Sequence, residues 1–187
     1  MLVRGQILAC LSALTIVATV GLAHGDQQDP RLTPLFQMLR LTSDPNEARA
    51  VEQEIWEIWL EIEDPSMREH LERGIGAMVR QDLFLALTHF DQLVKDAPGF
   101  AEGWNKRATI HYFLGNFDAS VRDIQQTLAL EPRHFGALSG LGLIYDRLEK
   151  PAAALRSFEA ALEIYPLLSY PKQRADELRD QLAGDKT

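Results

Sequence analysis

Residues 135–168 read FGALSGLGLIYDRLEKPAAALRSFEAALEIYPLL, and the proline near the end of this stretch is the key to the whole chain. Pro98, Pro132 and Pro166 are evenly spaced along the sequence. On the same register Gly74, Ala108 and Gly142 recur, as do Ala86, Ser120 and Ala154, and then Phe90, Ile124 and Phe158. Small residues at matched positions let two helices approach closely, a large apolar residue fills the adjoining gap, and the proline stops the second helix and turns the chain. Several residue classes sharing one period predict a stack of helical hairpins.

At these residues the chain resembles the tetratricopeptide repeat family, whose helix-turn-helix units stack into a right-handed superhelix. The resemblance implies an all-α fold, a right-handed α-solenoid of three repeats over residues 67–100, 101–134 and 135–168. The third repeat follows the family pattern most fully, at Leu138, Leu141, Gly142, Tyr145, Ala154, Phe158, Ala161 and Pro166. The second contributes Trp104, Ala108, Gly115-Asn116-Phe117 at the inter-helix turn, and Pro132. In the first, His70 replaces the usual large apolar residue, and Arg73 and Arg107 stand where repeats one and two should carry leucine. Repeat one is therefore expected to pack less well. Residues 169–187 supply a polar helix from about Pro171 to Leu182, which suits a capping element, because a solenoid end otherwise exposes an apolar face.

Upstream of the repeats, residues 1–23 carry Arg4 as their only charge, an apolar run from Ile7 and small residues at Gly21 and Ala23. This reads as a secretory signal peptide, with an uncleaved anchor as the alternative. The protein is then expected to be exported, most readily to a periplasm, without stable membrane insertion after cleavage. The one cysteine, Cys10, lies inside this leader, so the mature chain has no thiol chemistry. Residues 24–66 follow as a linker with flanking helices. Thr33-Pro34 is read as a cap and first helical residue. Asp44-Pro45-Asn46-Glu47 is read as a capping box that starts a helix from Pro45 to about Ile62, and Asp64-Pro65 as the start of a third helix.

With 187 residues, 46% hydrophobic, 25% charged and a formal net charge of −8, the composition excludes a disordered or disulfide-rich chain. The acidic balance disfavours nucleic acid as a partner, because phosphate neutralisation needs a basic face. No catalytic constellation is visible. His24, His70, His89, His111 and His134 show no paired metal spacing, and Gly74-Ile75-Gly76 and Gly140-Leu141-Gly142 lack the strand a dinucleotide loop requires. Glu54, Glu57 and Glu61 fall on one face of the helix from Pro45, a solvated face opposite Val51, Ile55, Ile58 and Ile62. Trp56 and Leu60 lie off that apolar stripe, so the helix is either sandwiched between neighbours or presents an aromatic patch to a partner. The sequence thus predicts no enzyme, cofactor or metal.

The family resemblance implies a concave groove lined by the first helix of each repeat. Its inward positions are Arg68, Leu71, Ile75 and Met78 in repeat one, Glu102, Asn105, Thr109 and Tyr112 in repeat two, and Gly136, Ser139, Leu143 and Asp146 in repeat three. Family members that clamp a C-terminal carboxylate use lysine, arginine and asparagine at several such positions, and only Asn105 matches. The expected function is a non-catalytic interaction scaffold of the cell envelope that binds a peptide or protein in this groove, with Asn105 and Tyr112 foremost. Two alternatives remain: homo-oligomeric self-assembly through Trp56 and Leu60, and an enzymatic or small-molecule site between the N-terminal helices and repeat one, lined by Trp56, Trp59 and the nearby glutamates.

Overall fold

The computed structural model describes residues 27–184, so the expected leader 1–23 and the last three residues lie outside the described part. Aspartate and proline set several helix starts. Asp44 accepts the amide of Asn46 at 2.8 Å ahead of Pro45, and Asp64 accepts those of Ser66 and Met67 at 2.8 and 3.0 Å ahead of Pro65. These open α2 (Pro45–Trp59) and α3 (Pro65–Val79), while Asp82 caps α4 (Leu83–Asp96). The other helices are α1 (Leu32–Leu41), α5 (Ala101–Phe113), α6 (Phe117–Leu130), α7 (Phe135–Arg147), α8 (Pro151–Ile164) and α9 (Ser169–Gly184). Among the described residues there is no strand.

Three local expectations are corrected. Helix α1 begins at Leu32, after Arg31, so Thr33 lies inside it and caps nothing. Leu32 is fully buried, and the helix starts two residues early to seat it. The capping box at Asp44 is rewired: the Asp44 amide donates to Thr42 Oγ1 at 3.1 Å, and that hydroxyl donates to the Glu47 carboxylate. Thr42 thereby stands between the two residues expected to meet. Finally, α2 stops at Trp59, short of Ile62, because the residue ahead of Pro65 is extended and the connection must turn to bring Ile62 into the core of the next hairpin.

The three repeated hairpins are α3–α4, α5–α6 and α7–α8. Their turns are superimposable in chemistry: Asp82, Asn116 and Lys150 each donate their amide five residues back, to Ala77, His111 and Tyr145, at 2.9, 2.8 and 2.9 Å. Each turn has one left-handed residue, Gln81, Gly115 or Glu149, so only the second uses glycine there. Inside the hairpins the small and large residues match. A Cβ on Gly142 would lie 2.5 Å from the Phe158 ring, and one on Gly74 would lie 2.7 Å from the Phe90 ring. Repeat two has the smaller Ile124 in place of phenylalanine and tolerates Ala108, whose carbonyl accepts the Ser120 hydroxyl at 2.7 Å. Arg107, read from sequence as a misfit, instead joins three helices: it donates to Asp123 at 2.7 and 2.8 Å and to Asp91 at 2.9 Å.

The flanking helices attach differently. Helix α9 continues the stack, burying Ala175 and Leu178 against Ala154 and Phe158 of α8. The α1–α2 hairpin instead lies against the loops between repeats, where Leu32, Phe36, Ile55, Ile58 and Trp59 share a core with Phe135 and Tyr165. Repeat one is reached by the connection, through Leu60 and Ile62, and by the Gln27 side-chain amide, which donates to the Gly99 carbonyl.

Candidate functional site

The concave side is built by α3, α5 and α7, and the residues expected there fall into separate places. Asn105, Thr109, Tyr112 and Leu143 line one pocket of about 130 Å³ between α5 and α7, with Phe113 at its mouth and Ile124 at its floor. Gly140 keeps it open, since a Cβ there would find its nearest neighbour, Ile124, only at 3.7 Å. Tyr112 is held edge-on to Phe113, with ring centroids 5.7 Å apart, and is tilted on Phe117 at 5.9 Å. Leu71 and Ile75 line a broader, open hollow of about 580 Å³ at the first-repeat end, together with Leu60, Ile62, Glu63 and Glu72. Met78 packs against the core of repeat one.

Several polar groove residues are already engaged. Asn105 is 8% exposed and donates to Glu102 Oε2 at 2.9 Å, so it presents little surface to a partner. The hydroxyls of Thr109 and Ser139 donate to carbonyls one turn back in their own helices, at 3.0 and 2.7 Å. Asp146 is gripped by both Arg174 nitrogens at 2.7 and 2.8 Å, which ties α7 to α9. Asp146 therefore serves the cap. The rings at the pocket are Tyr112, which is half-buried, and Phe113, which is 61% exposed.

A buried charged network supports the pocket wall. Glu102, 1% exposed, meets Lys106 at 2.8 Å and the His134 Nε2 at 2.9 Å. The His134 Nδ1 accepts the Ala137 amide at 3.0 Å, which places the imidazole proton on Nε2, donating to Glu102. Burial alone would raise the Glu102 carboxyl, but the Lys106 ammonium and the His134 hydrogen bond outweigh it and hold the group below the ordinary range. With both ring nitrogens engaged, His134 is a helix cap and not a base. It stacks flat on Trp59 at 4.1 Å.

Trp56 and Leu60, expected as one surface, are separated. Trp56 packs edge-on against His134 and Phe135 at 5.4 and 5.5 Å, and it occupies the space that a Cβ on Gly136 would need, 2.8 Å away. The sandwiched arrangement of α2 is the one observed. Leu60 points to repeat one. The hollow next to repeat one contains neither Trp56 nor Trp59, so of the lining expected for the alternative small-molecule site it has glutamates, Glu61, Glu63 and Glu72, and not the two tryptophans. Among the described residues, no group of three or more histidine, cysteine or acidic side chains is placed to hold a metal ion, and no helix is long and apolar enough to cross a membrane.

Comparison with known proteins decides what this array is. Residues 105–168 match the tetratricopeptide repeat family model. A TPR repeat-containing protein of Rhizobium etli is 32% identical over 157 residues, covering 84% of this chain and 77% of that protein. The chain belongs to the tetratricopeptide repeat family. Among solved structures, the Sgt2 TPR domain from Aspergillus fumigatus is similar with a TM-score of 0.61 and 18% identity, over 66% of this chain and 83% of that one. The first TPR of Spaghetti (RPAP3) bound to the HSP90 peptide SRMEEVD is similar with a TM-score of 0.61 and 20% identity, over 65% and 96%.

Within this tetratricopeptide array, the sequence singled out Tyr112 but missed Phe113 beside it. A signal was present: Val79 and Phe113 occupy the same position in successive repeats, at the exposed ends of α3 and α5. The Glu102–His134 pair carried no such signal, because its 32-residue separation is close to, but not equal to, the repeat length.

Proposed function

We propose that the chain is a non-catalytic interaction scaffold that captures a peptide or protein segment in its concave groove, after export to the cell envelope. The observation that carries the binding half is the pocket between α5 and α7. It is an apolar recess floored by Ile124 and walled by Leu143, with the Tyr112 ring and hydroxyl at its edge. Such a recess suits one apolar anchor side chain of an extended segment, because buried aromatic and aliphatic anchors dominate binding energy. The inner-face acids Glu102 and Asp146 already hold the nearest cations, Lys106 and Arg174, so an incoming C-terminal carboxylate would compete with existing ion pairs. An internal segment fits better than a clamped terminus. The apolar leader with its single Arg4 supports the export half.

Selection of peptides from a random display library on the purified chain supplies a ligand for the test. Replacing Asn105 and Tyr112 together by alanine should leave helical content intact and weaken that ligand by about 1–2 kcal/mol, mostly through Tyr112. Unchanged affinity in the double variant would move the binding surface away from this groove. Amino-terminal sequencing of the chain from fractionated cells tests export.

A further inference from the structure

The histidines that show no metal spacing along the sequence are brought into a pair by the first hairpin. His70 on α3 and His89 on α4 are 19 residues apart in the chain, yet their Nδ1 atoms lie 3.2 Å apart, with ring centroids at 5.5 Å and planes at 49°. Both side chains are half-buried. His70 occupies the repeat position held by Trp104 and Leu138 in the next two repeats. Those repeats have a preceding repeat to pack on, whereas among the described residues no helical hairpin stacks on repeat one, so this position is available for chemistry.

Two imidazole nitrogens at this distance fit either an N–H···N hydrogen bond or a shared ion. Zinc–nitrogen bonds of about 2.0–2.1 Å at a tetrahedral angle place two ligand nitrogens roughly 3.3 Å apart. We propose that His70 and His89 form a two-imidazole site for a divalent transition-metal ion of the zinc, nickel and copper class. Imidazole suits these ions, whereas calcium and magnesium require oxygen ligands. Glu69 adjoins His70 in the chain, and in the metal-free arrangement its carboxylate pairs with Arg73 at 2.6 Å on the exposed surface. Bound metal would draw Glu69 off Arg73, and water would complete the shell. The ion would staple α3 to α4 at the open end of the array. The Arg73 charge opposes it.

Calorimetric titration of ZnCl2 into the untagged full chain at neutral pH should show one equivalent bound and a raised melting temperature. His70→Ala and His89→Ala should each weaken binding at least about tenfold, since even indirect support of a ligand is worth that much. Arg73→Ala should tighten it by freeing Glu69, and adding Glu69→Gln should cancel that gain. The Arg73 and Glu69 variants retain both histidines and keep the test decisive if a histidine variant folds poorly. Binding unchanged in both histidine variants, or no response to Zn2+, Ni2+ or Cu2+ up to about a millimolar, would overturn the proposal, the first by placing the ion elsewhere and the second by leaving a hydrogen-bonded pair.

Discussion

The two ends of the array solve one problem in opposite ways. At the C-terminal end α9 stacks on α8 as a further helix of the superhelix, burying Leu178 completely and locking itself to α7 through Arg174 and Asp146. At the N-terminal end the α1–α2 hairpin does not stack. It runs beside the array and seats Trp59 on His134 and Phe135 at the boundary of repeats two and three. The first repeat's outer positions are made polar instead, with Glu69 and His70 where its successors carry uncharged small or large apolar residues, and Arg73 paired to Glu69 beside them. A solenoid thus needs either a cap or a polar face at each end, and this chain uses one of each. The N-terminal hairpin is left to brace the side of the groove.

The comparison is broken most severely by Trp59→Ala. That ring is 2% exposed and touches Phe36, Trp56, His134 and Phe135, so its loss should cost about 3–5 kcal/mol. Because the hairpin is bound from the side, the expected outcome is its release with the three repeats still folded. Limited proteolysis should then cut in the connection after α2 while a fragment from α3 onward survives. Leu178→Ala should cost somewhat less, about 2–4 kcal/mol, and lower a single cooperative melt, because α9 belongs to the stack. A single two-state melt for Trp59→Ala, with no resistant fragment, would show that both flanking elements belong to one folding unit.

A smaller effect separates the interior of the repeats from their groove side. Gly142 and Gly140 sit two residues apart in α7, one pressed on Phe158 and one facing the open pocket. Gly142→Ala should destabilise by about 1–3 kcal/mol through overpacking, outweighing the gain in helix propensity. Gly140→Ala, with ordinary contact distance to Ile124, should be neutral or stabilising by up to about 1 kcal/mol while shrinking the binding pocket. Equal melting temperatures for the two variants would show that α7 is rotated from the orientation described.

How much of this was legible in the sequence follows from the range of each interaction. The close approach of Gly142 to Phe158, the turns and the chain-reversing prolines are short-range and recur once per repeat, so a period exposes them. Amphipathicity of α2 was equally readable, but not which surface would receive it. Trp56 carries no trace of Gly136, which lies two full repeats beyond it in the chain, although the two share one space. Arg107 looked like a fault because the family position favours leucine, and only the fold shows Asp91 and Asp123 flanking it sixteen residues to either side. The groove positions were located by analogy with a helix face. Which of them retain free surface depended on partners such as Glu102 and Arg174 that no spacing rule reveals.

The smallest expected effect tests the open end against the capped one through pH. His89 is pushed below its ordinary value by burial first, then by His70 and Arg73, with Glu69 opposing; His111 is pushed the same way by burial, assisted by Arg107 and Arg122 and opposed by Asp123 and Asp91. In each case the unfolded chain takes up its proton at higher pH than the folded chain. Stability should therefore fall as the pH drops below about 6.5, and the loss should level off once the folded imidazoles are themselves protonated. The described part of α8 and α9 contains no histidine, so this sensitivity belongs to the first two repeats. Partial exposure of both rings limits the size, and a fall of about 1–3 °C in melting temperature between roughly pH 7.5 and 5.5 is expected. His89→Gln should flatten part of that slope and His111→Gln another part, whereas Leu178→Ala should lower the whole curve without changing its shape. A slope in this window that survives both histidine substitutions would place its source outside these two rings, and Glu102 could not supply it, because its lowered carboxyl contributes stability that is lost only in more acid solution.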